Sequence, residues 1–295
     1  METYAAVRAH GLKSRLLSRG DYEDILKGEK KLSDFKDYSS ILDTDALDAK
    51  LEKIYRVYVS RLETISKAGP EISGFVLALL DKLEVENIKI HLRYILGAQR
   101  PVIYYPYGRH LGPAKLSTIK TEGMLWEALS RTVYQAPPSP NFTTPLESER
   151  ELLLDLLYYN YLLRKVEELK VSNDSKEALQ NLIREELEKK ILVWSRVIDS
   201  SIIYKLASSL RFRVRIPGIP DDWKNLKTTE LMQNVEMSLL KDIEVKISLR
   251  FPVSIGFVYY YNALAFLEAR NLEKIIIGKE LGFPEEVILR NLILV

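Results

Sequence analysis

The 295-residue chain contains no cysteine, which excludes disulfide bonds, zinc–thiolate sites and thiol chemistry. It has only three histidines, His10, His91 and His110, and they are scattered without the spacing of a metal-binding set. Neither sign of charge dominates, because the chain has 43 basic and 41 acidic residues and no third of it is strongly basic. A broad nucleic-acid-binding surface is therefore not expected.

The sequence also lacks the common motifs of catalysis and nucleotide binding. Gly278 and Lys279 in "IIIGKE" have neither the upstream glycine nor the hydroxyl residue of a phosphate-binding loop. No Gly-x-Gly-x-x-Gly, Gly-x-Ser-x-Gly or His-Glu-x-x-His occurs. Acid pairs such as Glu185–Glu186 are typical of solvated helix faces, and nothing marks one of them as a general acid. We expect no catalytic residue, no cofactor and no metal; an enzyme with an unrecognised site is the alternative.

A long hydrophobic run is missing as well. The longest uncharged stretch, "FPVSIGFVYYYNALAFL" at residues 251–267, is short for a membrane span and contains Pro252 and Asn262. A membrane helix is one reading; a helix buried on most sides at the centre of a bundle is the one we favour. At the N-terminus, charges are scattered through the apolar residues, which does not fit a signal peptide.

What is present is helical periodicity. In residues 47–65, apolar residues recur at steps of three and four, and Lys53, Arg56 and Arg61 fall outside that set. The same period predicts long helices at residues 147–169 and 175–198, the second capped by Ser175 or Asp174. The sequence predicts an all-α fold. Proline- and glycine-rich breaks suggest three helical domains, at residues 1–100, 101–216 and 217–295.

A short pattern repeats along the chain. Glu84 and Asn87 form an acid-x-x-Asn unit followed by an aliphatic residue, and Glu268 and Asn271 form another. Asp199 begins a weaker copy in which isoleucine replaces the asparagine. An acid and an asparagine three residues apart share one helix face and can bond to a loop or a neighbouring helix. We interpret these residues as packing residues of a repeated domain, although so short a pattern also arises by chance.

Two segments are candidates for contact with a partner. If residues 211–215 are extended, Arg211, Arg213 and Arg215 share one face and can receive an acidic partner. A solvated edge is the alternative, since surface charge runs are common. Three tyrosines in a predicted break are the second candidate, because aromatic residues outside helices suit an interface: Tyr104, Tyr105 and Tyr107.

The segment "GKELGFPEEVI" has two further readings. Gly282 suits a helix end, and Pro284 suits the start of the next helix. A DNA-binding helix-turn-helix is disfavoured, because Glu285 and Glu286 would face DNA phosphates.

Three stretches resemble one protein family. They are "YAAVRAHGLKSRLLSRGDYEDIL" from Tyr4, "EVENIKIHLRYI" from Glu84, and "FLEARNLEKIIIGKELGFPEEVI" from Phe266. These resemble the C subunits of archaeal and bacterial A/V-type rotary ATPases, which are relatives of the d subunits of eukaryotic V-ATPases. The resemblance implies three similar helical domains around a pseudo-threefold axis, forming a funnel.

The resemblance also implies a function. Such a protein is a non-catalytic rotor part that joins the central shaft to the membrane rotor ring during ATP synthesis or hydrolysis linked to proton or sodium transport. It would be peripheral on the cytoplasmic face, touch the membrane only through the ring, and bind no nucleic acid. The alternative from the residues themselves is a free-standing helical-repeat scaffold that binds other proteins or RNA.

Overall fold

The computed structural model of the protein describes residues 2–101, 103–208, 210–248 and 250–294. The structure is 67% helical, and the residues in these ranges form no β-strand. The prediction of an all-α fold is therefore confirmed. The helices are built from the long amphipathic segments seen in the sequence, and the breaks between them carry most of the prolines.

The chain divides into two compact units. Unit 1 comprises Met1–Val76 and Ile243–Val295, and unit 2 comprises Leu77–Asp242. The predicted domain boundaries near residues 100 and 216 both fall within unit 2. The three-domain division and the funnel around a pseudo-threefold axis stay predictions.

Unit 1 combines helices from both ends of the chain. They are α1 (Glu2–Lys13), α2 (Arg19–Lys27), α3 (Leu47–Ser66), the first turns of α4 (Pro70–Ile95), α11 (Ile255–Glu280) and α12 (Glu285–Asn291). Short 3₁₀ turns lie between α2 and α3, and a π-helical segment, Glu244–Ser248, precedes α11. Helix α11 packs against α1 and α3, so the core of unit 1 joins residues more than 200 positions apart.

Local capping explains where α2 begins and ends. The Ser18 hydroxyl accepts a hydrogen bond from the backbone N–H of Asp21, and the Asp21 carboxylate accepts one from the Ser18 N–H. This reciprocal arrangement satisfies donors that a helix start leaves free. At the other end, Gly28 adopts φ 75°, a left-handed conformation that glycine reaches without strain.

Helix α3 follows the predicted apolar face, with one exception. The buried residues include those that the period selected: Leu51, Ile54, Tyr55, Tyr58 and Leu62. The prediction that Arg61 lies away from this face is wrong, because Arg61 is only 4% exposed. Its guanidinium is buried because it meets the carboxylates of Asp37 and Glu268. Helical period alone does not reveal such a pairing.

Helix α11 contains most of the hydrophobic run that raised the question of a membrane span. It starts at Ile255, after Pro252, and is buried on most sides within unit 1. Across the described residues, every helix is either too short or too polar to cross a membrane. The interpretation of this run as a helix buried on most sides is confirmed for residues 255–267, whereas residues 251–254 precede the helix.

The glycines near the end of α11 allow a sharp corner. Gly282 has φ 70°, and the chain then enters α12 after Pro284. Gly278 lies against Ile288 of α12, where an added Cβ would come within 2.7 Å of the isoleucine side chain. The predicted helix–corner–helix is confirmed, and the close approach of the two helices depends on the missing side chain at residue 278.

Unit 2 contains the remaining helices. They are the rest of α4, α5 (Pro113–Leu116), α6 (Glu122–Ser130), α7 (Glu147–Glu167), α8 (Asn173–Trp194), α9 (Ser200–Ala207) and α10 (Thr228–Ile243), which ends at the boundary. Helix α7 is buried along most of its length and packs against α8 and α9. Leu192 of α8 joins Leu231 and Val235 of α10 in a smaller apolar cluster.

The start of α8 differs from the prediction. We expected Ser175 or Asp174 as the N-cap, but the helix begins at Asn173 and Ser172 is its cap. The Ser172 hydroxyl accepts a hydrogen bond from the Ser175 N–H at 3.2 Å. Ser172, Asp174 and Ser175 are all good capping residue types, so composition alone did not choose among them.

We predict that Gly278→Ala destabilises unit 1, because the new methyl group would overlap the buried Ile288 side chain. The expected loss is about 1–3 kcal/mol, as for other overpacked sites. Thermal and urea denaturation followed by circular dichroism measure it. Gly74→Ala is the control: residue 74 lies in α4 with open space around it, so that variant should be stabilised by up to about 1 kcal/mol. Equal effects of the two substitutions would contradict the prediction.

Candidate functional site

The acid of the first repeated pattern, Glu84, is fully buried in the middle of α4. One carboxylate oxygen accepts hydrogen bonds from the backbone N–H groups of His110, at 2.8 Å, and Leu111. The other accepts one from the Tyr134 hydroxyl at 2.7 Å. A buried carboxylate without donors would be very unfavourable, so these three bonds fix the 110–111 loop and Tyr134 onto α4.

Asn87, one turn further along α4, holds a second loop. Its Oδ1 accepts a hydrogen bond from the Tyr105 N–H at 2.7 Å, and its Nδ2 donates to the Tyr105 carbonyl at 2.9 Å. The same Nδ2 donates to the Tyr107 carbonyl at 3.1 Å. The Asn87 side chain thus supplies hydrogen-bond partners for backbone groups that lie outside regular secondary structure.

In unit 1, Glu268 occupies the middle of α11 and is also buried. Its carboxylate accepts hydrogen bonds from the Leu17 N–H at 2.5 Å and the Tyr38 hydroxyl at 2.5 Å. Arg61 of α3 donates to it at 2.6 Å. Burial is the main reason that the pKa of Tyr38 lies well above its usual value, and the neighbouring carboxylate raises it further.

Asn271 completes the second pattern. Its Nδ2 donates to the Ile293 carbonyl at 2.8 Å, and its Oδ1 accepts from the Ile293 N–H at 3.1 Å. Both the asparagine and the backbone groups of Ile293 are buried. The side chain therefore anchors the segment that follows α12 to the centre of α11.

The two acid–asparagine pairs make similar contacts, except that Glu268 also accepts from Arg61 and Glu84 accepts from two backbone N–H groups. In each, the glutamate accepts from backbone N–H and one tyrosine hydroxyl, and the asparagine pairs with both backbone groups of one residue further along the chain. Asp199 is different, because it is an exposed N-cap of α9 that accepts from the Ser201 N–H at 2.8 Å. The structure thus brings Glu84 with Asn87 and Glu268 with Asn271 into like environments, and Asp199 into another.

A charge cluster adjoins Glu84. Asp81, one turn earlier on α4, accepts hydrogen bonds from Arg109, with the shorter at 2.5 Å, and from the hydroxyls of Tyr107 and Tyr161. Burial alone would raise the pKa of Asp81, but the nearby His110 and the hydrogen bonds from Arg109 outweigh it and lower the pKa.

Asp81, Glu84 and His110 lie as close together as the ligands of a metal site, since each brings one ligand atom within 4.8 Å of the others. Their carboxylate oxygens, however, already accept hydrogen bonds from arginine, tyrosine and backbone donors. A cation would have to displace these donors. The grouping is chemically a hydrogen-bonded charge cluster.

A second buried charge pair was not found from the sequence. Asp155 of α7 accepts from Lys89 of α4 at 2.5 Å and from the Trp194 indole at 3.1 Å. Burial opposes its ionisation, yet Lys190 and Lys89 lower the pKa of Asp155. Charged residues on an apolar helix face, such as Asp155 in "LLLDLLYY", were the signal that could have marked it.

The three tyrosines proposed as a contact surface are engaged with unit 2 itself. Tyr107 is buried and donates to Asp81, which leaves little of it for a partner. Tyr104 and Tyr105 are half-buried, and the Tyr104 hydroxyl bonds to Nδ1 of His91 at 2.7 Å. Their role in docking stays a prediction.

The three arginines have a different environment. Arg211, Arg213 and Arg215 are exposed, and the residues between them are half-buried. Within the part of the chain that the structure describes, none of the three forms an ion pair. These side chains are therefore available to a partner.

The comparison with protein families identifies the class of protein. A family model described as "ATP synthase (C/AC39) subunit" matches residues 5–218. The match covers well over half of the chain, so the protein belongs to the ATP synthase C/AC39 subunit family. This family consists of subunits of V/A-type ATP synthases, which confirms the resemblance seen in the sequence. The matched residues end before α11, so the resemblance of the last stretch is not covered by this match.

A search among curated proteins found no match. Family membership makes the chain a component of a rotary ATPase complex, in which it has a structural part. The geometry fits that part, because the buried carboxylates described above serve as hydrogen-bond acceptors in packing.

We predict that Glu84→Gln and Glu268→Gln each lower stability by about 2–4 kcal/mol, because an amide nitrogen cannot accept the backbone and tyrosine hydrogen bonds. Urea denaturation of the full chain measures the loss. Asp199→Ser is the matched control: serine keeps a capping oxygen, so we expect a change below about 0.5 kcal/mol. Losses as small as the control's would show that the two glutamates are not central to packing.

A pH dependence follows from Asp81. Its folded-state pKa is below that of the unfolded chain, so its ionisation stabilises the fold above about pH 4, and that stabilisation is lost as pH falls through the folded-state pKa. We predict that Asp81→Asn is less stable at pH 7 and loses less additional stability than the wild type on acidification. Urea midpoints between about pH 7 and pH 3 test this. Asp222→Asn removes the same charge at an exposed position outside the cluster and serves as the control. Equal slopes for Asp81→Asn and the wild type would refute the prediction.

Proposed function

We propose that the protein is a non-catalytic central-stalk rotor subunit, which joins the central shaft to the membrane rotor ring of an A/V-type ATP synthase or ATPase. The observation that carries the proposal is the family match over residues 5–218. The protein would turn with the shaft and ring, and pass torque between the ATP-processing head and the ion-translocating ring. ATP binding and ion translocation would belong to other subunits.

The packing supports a mechanical part of this kind. A torque adapter must resist deformation, and close-packed helices have low compressibility. In each unit a buried glutamate and asparagine tie non-helical segments to a central helix, through bonds such as Leu17 N–H to Glu268 and Tyr105 N–H to Asn87. Loops held this way cannot slide along the helix without leaving a buried charge or amide unpaired.

The proposed location is the cytoplasmic face of the membrane, with contact to the bilayer only through the ring. The balanced net charge of +2 supports protein partners over nucleic acid. The partners would be the shaft subunits on one side and the cytoplasmic loops of the ring on the other.

Reconstitution of the complex into vesicles tests the proposal. Without this chain, we predict that the head still hydrolyses ATP, whereas ATP-driven ion uptake falls to background, because torque no longer reaches the ring. Adding the purified chain back should restore uptake, and adding the same amount of an unrelated helical protein should not. Ion pumping that stays fully coupled without the chain would overturn the rotor role.

The absence of cysteine permits a second test. Single cysteines at exposed positions can be cross-linked to cysteines on the shaft without competing thiols in this chain. A cross-link between two parts of one rotor leaves ATP-driven pumping intact, since they turn together. Loss of pumping on cross-linking, with recovery on reduction, would show that the chain and the shaft move relative to each other.

A further inference from the structure

Residues 211–216 follow α9 and have the period of a strand without belonging to a sheet. The chain bends at Arg211 and Phe212 and then continues to Pro220 without helical structure. Arg211, Arg213 and Arg215 are exposed, whereas Phe212, Val214 and Ile216 are half-buried. Alternation with a period of two is the signature of extended backbone lying on a surface.

The backbone of this segment is not used by the rest of the described chain. The Arg211 N–H donates to the Asn160 side chain at 3.3 Å. From residue 212 to residue 216, no backbone N–H or carbonyl forms a hydrogen bond with another described residue. Unpaired backbone groups in an extended row are a template for pairing with a further strand.

The charge of the segment is also uncompensated. Between Asp199 and Asp221 the sequence has no acidic residue and four basic ones, the three arginines and Lys205. Most of the other cations named above have a carboxylate partner, as Arg109 has Asp81 and Arg61 has Glu268. The arginines of the segment are exceptions, with no ion pair to any described residue.

We propose that residues 211–216 form a docking edge for an acidic, extended polypeptide segment, which binds by strand addition. Backbone groups of the partner would pair with the free row of residues 212–216, and its acidic side chains would lie beside the arginines on the same face. The free backbone row favours a polypeptide over lipid headgroups or nucleic acid, because their phosphates offer no donors to the carbonyls. The inference goes beyond the rotor role and does not depend on it.

Fluorescence anisotropy with the full chain tests this docking edge. The probe is a labelled peptide in which glutamate alternates with threonine. We expect it to bind, and we expect the triple variant Arg211→Gln, Arg213→Gln, Arg215→Gln to weaken binding at least about tenfold, since three cross-strand charge pairs are lost. A matched variant carries the same charge change at exposed lysines elsewhere: Lys27→Gln, Lys67→Gln and Lys115→Gln. It should bind like the wild type.

Two further peptides test the backbone pairing. One is N-methylated at its odd-numbered residues and the other at its even-numbered residues, and both keep the charges of the parent peptide. In only one of them do the methyl groups lie on the edge that faces the protein, where they block backbone hydrogen bonds. Strand addition predicts a loss of at least about tenfold for that one. Circular dichroism confirms that the protein variants remain folded.

Several outcomes would overturn the docking edge. They are no binding of the parent peptide, equal binding to the arginine variant, equal weakening in the lysine control, or unchanged binding of both methylated peptides. Binding to anionic phospholipid vesicles that depends on the arginines, and that the peptide does not displace, would assign the segment to a lipid surface instead.

Discussion

A buried carboxylate in the middle of a long helix is the constraint on which each unit depends. Glu84 and Glu268 are buried, and a buried carboxyl group is very unfavourable unless hydrogen-bond donors surround it. Those donors come from distant parts of the chain: Tyr134 lies 50 residues from Glu84, and Leu17 lies 251 residues from Glu268. Satisfying one side chain therefore fixes several loops at once, and brings the two ends of the chain together in unit 1.

The same constraint links the fold to the proposed mechanical role. Carboxylates that accept three or four hydrogen bonds from loops hold those loops firmly against the helices. The chain belongs to the ATP synthase C/AC39 subunit family. In the rotor role proposed above such rigidity would be needed, because a part that carries torque must not deform. The arginine segment after α9 differs. Among the described residues, the backbone of residues 212–216 has no hydrogen-bond partner and the three arginines have no carboxylate partner.

Much of the fold could be read from local patterns. Helical period located α3, α7 and α8, the long uncharged run located α11, and prolines and glycines located the breaks. These signals all act between near neighbours in sequence. The acid-x-x-Asn pattern drew attention to Glu84 and Glu268 for the same reason. The burial of Arg61 and Asp155 was not predicted, because it depends on partners far away in the chain. The partner of Arg61 is Glu268, and the partner of Asp155 is Lys89.

The sequence by itself determined the all-α class, the long helices, the absence of thiol chemistry and the resemblance to a rotary ATPase component. Only the tertiary structure decided which charged residues are interior and which are exposed. Asp199 and Glu268 occupy similar patterns, yet one caps an exposed helix start and the other lies in the core. The physical reason is that desolvation of a charge depends on everything packed around it, and that environment is assembled from segments remote in sequence.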